Sequence, residues 1–351
     1  MINKKIRVGV LSAGAWSVAV HIPELQRHPD VELVVVTNQD IEVAKRIQEM
    51  FGFEMGLDSW EKALDLNLYA VIVSSPPIAH EAMVIASLNS GAHVLCEKPF
   101  AIYGKSAARM LAAAKKNGLT LLVGYGWPYT NIFTRARDLI QEDLIGKVEF
   151  ATLGITCGIR EILEGAPSDH STSTGFMSEK NTYVDPKIAG GGAIGTTMSH
   201  SLGLLIHMLG DSFDWVSSSS YPAGAALDYH ESVSAQMKNG ASVNMYCVST
   251  FGSAPHVTWR FEAFGAKGDL RVDPTRRQIT FHGAIGDSWV QDFEEDDVAY
   301  KSYMPTALLL ERVRGNVIPE GCDSSIGQLV VNATDGIYES WRTGSRSKVA
   351  R

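Results

Sequence analysis

The sequence predicts a doubly wound α/β domain of Rossmann type, followed by an α+β domain built on a largely antiparallel open sheet. Three observations carry that expectation. The chain of 351 residues is too long for one ordinary core and short for three. From residue 5 to about 124, short β-branched runs alternate with helix-length amphipathic stretches, as in a parallel sheet with crossover helices. Beyond about residue 126, longer strands alternate polar and apolar side chains, so one face packs and the other is wet. The expected domains are residues 1–125 and 126–351.

The first-domain strands read IRVGVL (6–11), ELVVVT (32–37), AVIVSS (70–75), HVLCE (93–97) and TLLVGY (120–125). They are apolar nearly throughout, as strands buried on both faces should be. Helices such as IEVAKRIQEMFG and KSAARMLAAAKKNG separate them, the second ending on Gly118 with lysines in its last turn. One helix over roughly 130–143 opens the second domain. The run SVSAQMKNGASVNMYCV then alternates on both sides of Asn239-Gly240, a strong hairpin signal. VTWRFEAFGAKGDLRVD repeats the plan with a looser turn. Residues 158–190 have no clear period and are rich in Ser, Thr, Gly and Pro, which predicts a long loop.

Composition excludes several classes. A net charge of −8 with no dense Lys/Arg cluster gives no footprint for nucleic acid. No apolar stretch approaches the ~20 residues of a membrane span, and the basic N-terminus leads into a strand rather than a signal peptide. Cys96, Cys157, Cys247 and Cys322 are scattered without metal or disulfide spacing, which fits a reducing cytoplasm and no metal.

The first strand ends in Ser12-Ala13-Gly14-Ala15-Trp16-Ser17, where a dinucleotide fold places G-x-G-x-x-G; here the pattern is S-x-G-x-x-S. Gly14 keeps the position where backbone approaches a pyrophosphate. The second strand ends at Asn38, where a carboxylate would accept hydrogen bonds from the adenosine ribose of NAD. Asn38 can bond a 2′-hydroxyl and does not repel a 2′-phosphate, so NAD and NADP both stay open. Asp40 reads as the N-cap of the next helix.

Further on, Ser74-Ser75-Pro76, His80 and Glu97-Lys98-Pro99 resemble the third and fourth strand ends of the glucose-fructose oxidoreductase, inositol dehydrogenase and rhizopine catabolism (Gfo/Idh/MocA) family. The similarity continues through Gly124-Tyr125, Leu144-Ile145-Gly146, Ala189-Gly190-Gly191-Gly192 and His200. The resemblance implies a nicotinamide-dependent oxidoreductase acting on a secondary hydroxyl of a sugar, glycoside or cyclitol. Cofactor contacts are then expected from Ser12, Gly14, Ala15, Trp16, Asn38, Ser74, Ser75, Pro76, His80, Glu97 and Lys98. Lys98 would touch both cofactor and substrate hydroxyl, and His200 would serve as acid/base.

That assignment is chemically coherent. A hydride leaves carbon readily only if the attached hydroxyl loses its proton, which calls for a base near neutral pKa and a donor for the developing alkoxide. Lys98 lies at the carboxyl end of a buried strand, the edge where open α/β sheets bind ligands. His200 follows a glycine cluster and begins an apolar helical run.

Departures from the family pattern are specific. Thr196, followed by Thr197, stands where many relatives carry an aspartate, so either Thr196 bonds substrate or cofactor, or a carboxylate such as Asp185 orients the histidine. Gly126-Trp127 replaces a polar pair and offers an aromatic face to a sugar. Tyr125 and Arg160 complete the candidate substrate contacts. The partner is expected to be a small polyhydroxylated molecule, with self-association through the outer face of the C-terminal sheet. Rival readings are a non-catalytic dinucleotide-sensing regulator of the same fold and an imine or biliverdin-type reductase.

Overall fold

The computed structural model describes residues 5–176, 182–224, 226–251 and 257–350. Six strands form a sheet: β1 (Ile6–Leu11), β2 (Val31–Thr37), β3 (Met55–Leu57), β4 (Ala70–Val73), β5 (His93–Cys96) and β6 (Leu121–Val123). Their order is β3-β2-β1-β4-β5-β6, all parallel. This order places a topological switch point between β1 and β4, the crevice where such sheets take ligands. Val8, Val10, Val71, Ile72, Val94 and Leu95 are fully buried, which explains the unbroken apolar runs. The short edge strand β3 was not legible, because MGL carries no strand pattern of its own.

The second sheet has nine strands: β7 (Val148–Cys157), β8 (Phe213–Tyr221), β9 (His230–Met237), β10 (Ser242–Ser249), β11 (Thr258–Gly265), β12 (Gly268–Asp273), β13 (Gln278–Gly283), β14 (Ser288–Asp292) and β15 (Ser347–Lys348). The hairpin β9–β10 turns at Asn239-Gly240 as expected, with Gly240 at φ 97° and Val243 opposite Ala235. Its strands alternate buried and exposed residues. One pairing departs from antiparallel order: β10 runs parallel to β7. The chain enters this sheet at its centre with β7, so hairpins must be added on either side, and one neighbour is parallel.

The 158–190 segment is not a plain loop. It holds three short helices, Arg160–Leu163, Asp169–Thr174 and Pro186–Ala189, the last two capped by the side chains of Ser168 and Asp185. Residues 177–181 of the segment lie outside the described residues.

All strands of the first sheet lie before residue 126 and all strands of the second beyond it. The helix Met304–Val313 nevertheless returns to the first sheet, where Leu308, Leu309 and Leu310 join the core of Val8, Val10, Ile72 and Leu95. Just after it, the Val123 amide donates to the Cys322 carbonyl at 2.7 Å. The long helix Ser324–Thr343 packs against the helices Gly104–Asn117 and Ser199–Leu209 and against β8. Among the described residues, no helix is long and apolar enough to cross a membrane.

Candidate active site

The turn after β1 is stitched to the end of β2. The Ser12 amide donates to Thr37 Oγ1 at 2.9 Å and the Ala13 amide to the Thr37 carbonyl at 2.8 Å. Ser12 adopts φ 54°, and the Ser74 amide reaches the Leu11 carbonyl at 3.1 Å, which joins the β4 end to the same turn. A Cβ built on Gly14 would meet no protein atom within 4 Å, so protein packing does not demand the glycine there. The hydroxyls of Ser17 and Ser75 are buried and lack a partner among the described residues. The open space at Gly14 and the unpartnered hydroxyls of Ser17 and Ser75 fit a bound pyrophosphate. Ala15 is buried, and Pro76 caps the helix Pro77–Asn89.

Asn38 is more committed than its position suggested. Its Nδ2 donates to the Ala13 carbonyl at 2.8 Å, and its Oδ1 accepts from the Asp40 amide at 2.9 Å. It therefore braces the loop. Asp40 caps the helix Ile41–Phe51 by accepting from the Glu42 amide at 2.9 Å, as expected.

At the end of β5, Glu97 is 7% exposed and fully engaged. Oε1 accepts from Trp16 Nε1 and lies against His21 Nε2, both at 3.1 Å, while Oε2 accepts from the Lys98 amide at 3.0 Å. Burial pushes this carboxyl up, but the His21 hydrogen bond and the charges of His21 and Lys98 outweigh it and hold it below its usual value. Gly124 makes the room: a Cβ there would sit 2.4 Å from Glu97 Oε1. Trp16 and Glu97, expected to touch cofactor, thus bond each other. His80 is buried, with its ring nitrogens on the carbonyls of Ser75 at 2.8 Å and Pro99 at 2.9 Å. Burial lowers its pKa, so the neutral ring donates to one of these carbonyls and packs against the other, between the β4 and β5 ends.

His200 stands in the first turn of the helix Ser199–Leu209, directly after a π-helical turn, Ile194–Met198. Such turns often mark functional sites. Its Nδ1 is buried without a hydrogen-bond partner. Its ring meets Tyr125 edge-on at 5.8 Å and Tyr300 at 5.9 Å. Burial, then the nearby Lys98 charge, push the imidazole well below its ordinary value. The Lys98 charge thus acts on the buried His200 imidazole. Burial likewise raises the Tyr125 and Tyr300 hydroxyls.

No carboxylate orients His200 among the described residues. Thr196 Oγ1 donates to the Gly192 carbonyl at 2.7 Å, and Asp185 caps its own helix by accepting from the Lys187 amide at 2.9 Å. Thr197 is buried in the π-helical turn. The carboxylate that does shape this region is Asp228, fully buried. It accepts from the amides of Gly192 (3.1 Å) and Ile194 (2.6 Å) and from the Tyr338 hydroxyl (2.9 Å). The glycine cluster answers to these groups rather than to close ligand approach. A Cβ on Gly191 would lie 1.8 Å from the Tyr338 hydroxyl, and one on Gly192 2.2 Å from the Asp228 carbonyl.

Two candidate substrate contacts are already occupied. Trp127 is 8% exposed, stacked on Tyr300 at 4.6 Å and edge-on to Trp259 at 5.1 Å, so no open aromatic face remains. Arg160 lies over the Tyr229 ring at 3.6 Å and bonds Glu164 at 2.6 Å. Sequence reasoning missed His21, Asp228 and Tyr300. It also missed Cys157, whose thiol burial pushes up to about 11 against the opposing pull of the Lys98 charge. A buried-looking histidine in the first helix of a nucleotide fold was the available signal for His21. The other three come from distant strands and loops, with no motif to mark them.

A parallel sheet of this order, with a glycine turn at its switch point, is the architecture that binds dinucleotides. The chain belongs to the Gfo/Idh/MocA oxidoreductase family: residues 6–125 match its NAD-binding Rossmann fold and residues 133–271 its C-terminal domain. It is 25% identical to levoglucosan dehydrogenase of Pseudarthrobacter phenanthrenivorans over 50% of this chain and 42% of that protein. It is 30% identical to a dTDP-3,4-didehydro-2,6-dideoxy-alpha-D-glucose 3-reductase of Streptomyces antibioticus over 44% of this chain and 48% of that one. The matches thus span less than half the length of these relatives. A solved structure of levoglucosan dehydrogenase in complex with NADH and levoglucosan superposes with TM-score 0.78 at 18% identity, covering 99% of this chain and 100% of that one.

Proposed function

We propose that this protein transfers a hydride between a nicotinamide dinucleotide and a secondary hydroxyl of a sugar, glycoside or cyclitol. The observation that carries the reading is the pairing of Lys98 with His200. One supplies a positive charge for a developing alkoxide, and the other supplies an imidazole kept neutral by burial and by that charge. In oxidation the carbinol C–H bond breaks, its electron pair and hydrogen pass to the oxidised nicotinamide, and the hydroxyl proton goes to His200. The products are a ketone, reduced nicotinamide and one proton. Bound NAD supplies only the hydride acceptor. The chain's residues bind it at Gly14, Ser17 and Ser75 and hold substrate oxygen between Lys98 and His200.

The relatives' substrates, levoglucosan and a deoxysugar nucleotide, agree with a polyhydroxylated ring. Self-association through the second sheet fits its wet face, where Ser234, Asn244 and Tyr246 alternate outward. Four free cysteines fit a reducing cytoplasm. A panel of sugars, glycosides and cyclitols, each with NAD and NADP, tests the reading. At least one should produce the reduced-nicotinamide absorbance. Dinucleotide binding with no turnover on any panel member would favour the sensing protein instead.

A further inference from the structure

We propose that His21 is a positioning residue for the catalytic end of the cleft: it pins the Glu97 carboxylate that orders Trp16 and the Lys98 backbone. The inference rests on the reading of Lys98 as a catalytic residue. Its geometry is a chain of four side chains, Thr306, His21, Glu97 and the half-buried Trp16, drawn from three parts of the fold.

His21 closes a second π-helical turn, Ser17–His21, in the helix that follows the nucleotide turn. It is fully buried. Nδ1 lies 2.8 Å from Thr306 Oγ1, and Nε2 lies 3.1 Å from Glu97 Oε1. Thr306 is also fully buried and sits on the helix Met304–Val313, which returns from the C-terminal half of the chain. The Nε2–H donates to Glu97, and Nδ1 shares a hydrogen bond with the Thr306 hydroxyl, which can act as donor or acceptor there. Glu97 spends its remaining capacity on the Trp16 indole and the Lys98 amide. A buried carboxylate with three donors is rigid, whereas one that has lost a donor gains protons or shifts. The cluster therefore couples the nucleotide turn, the catalytic strand end and the returning helix.

The groups facing Glu97 are His21, Lys98, Cys96, His80, Tyr125, Tyr183 and Tyr300. Only His21 and Lys98 act to lower it. Replacing His21 by leucine leaves burial less opposed, so Glu97 should bind a proton at higher pH than in the wild type. Turnover and kcat/KM should then acquire an acid limb about one pH unit or more above the wild-type limb, with plateau kcat roughly 10-fold lower. His21→Gln, whose amide can donate to Glu97 and accept from Thr306, should restore most of both. In His21→Leu/Glu97→Gln the new limb should vanish.

A readout independent of turnover is the Trp16 indole N–H resonance, assigned by its loss in Trp16→Phe. In His21→Leu it should titrate with the new limb, with reduced nicotinamide dinucleotide either absent or bound. A folded His21→Leu protein with wild-type pH profile and an unmoved indole resonance overturns the proposal. If that variant does not fold, Thr306→Val decides: the proposal expects the same shift in smaller measure, and an unchanged profile and resonance overturn it. Failure of the functional reading is a separate result. It would appear as Lys98→Ala retaining full activity, while the indole resonance still reports on His21.

Discussion

Two glycines that look equivalent in the sequence should respond in opposite ways to the same methyl group. At Gly14 a Cβ meets nothing within 4 Å and the backbone φ is ordinary, so Gly14→Ala should leave stability within ~0.5 kcal/mol of wild type. The methyl instead enters the open space that the proposal assigns to the dinucleotide. An overpacking cost of ~1–3 kcal/mol there weakens its affinity roughly 5-fold to 150-fold. At Gly191 the backbone has φ 127° and the added Cβ would lie 1.8 Å from the Tyr338 hydroxyl. Backbone strain of ~1–3 kcal/mol joins the loss of the Tyr338–Asp228 hydrogen bond, worth ~1.5–3 kcal/mol. Gly191→Ala should therefore lower stability by about 3–5 kcal/mol and Tm by roughly 4–7 °C. Dinucleotide affinity of the fraction that stays folded should be close to wild type. Differential scanning fluorimetry and fluorescence titration with reduced nicotinamide dinucleotide read the two effects separately. Wild-type affinity in Gly14→Ala would refute the placement of the pyrophosphate. Wild-type Tm in Gly191→Ala would refute the role given to Tyr338 and Asp228.

Two further outcomes follow from the hydrogen bonds and burial. Glu231 is 3% exposed, and burial raises its carboxyl from 4.5 to about 8 against the Ser220 hydrogen bond, with Asp228 adding to the rise. A raised folded-state value favours the folded protein below about 4.5 and loses that contribution as pH climbs through about 8. Glu231→Gln should therefore flatten the part of the Tm decline between pH 5 and 8, and an unchanged Tm–pH curve would count against it. Asn38→Asp sets a carboxylate oxygen 2.8 Å from the Ala13 carbonyl in place of an N–H donor. It should cost ~1–3 kcal/mol of stability and weaken NAD and NADP alike. A clean gain in NAD preference at unchanged Tm would show that Asn38 is free to face the ribose.

Much of the fold was legible because both sheets obey local rules. Strands buried on both faces are apolar throughout, and the Asn239-Gly240 turn announces its hairpin. The proposed pair of Lys98 and His200 was singled out through the strand-end triplet and the glycine cluster. The surroundings were not. Trp127 looked like a sugar platform until Tyr300, distant in sequence, was found stacked on it. No carboxylate reaches His200 among the described residues; Asp228, in the loop before β9, holds the glycine turn instead. His21 reaches Glu97 through a π-helical turn, which shifts a helix by one residue and leaves no periodic trace. The near-neutral base expected from chemistry alone also changes, since burial and Lys98 move His200 well below 6.5.

The most direct test of the central claim is the pH dependence of substrate oxidation in wild type, His200→Ala and Lys98→Ala, once a turned-over panel member is in hand. Neutral imidazole accepts the hydroxyl proton, so wild-type oxidation should rise through a step well below pH 6.5 and stay level above it. His200→Ala should lose that step and ~10²-fold of turnover, the lower end of the usual ~10²–10⁴ range because no carboxylate orients the imidazole, with dinucleotide affinity intact. Lys98→Ala should lose both turnover and dinucleotide affinity. Near-wild-type turnover in His200→Ala with the step retained would contradict the account.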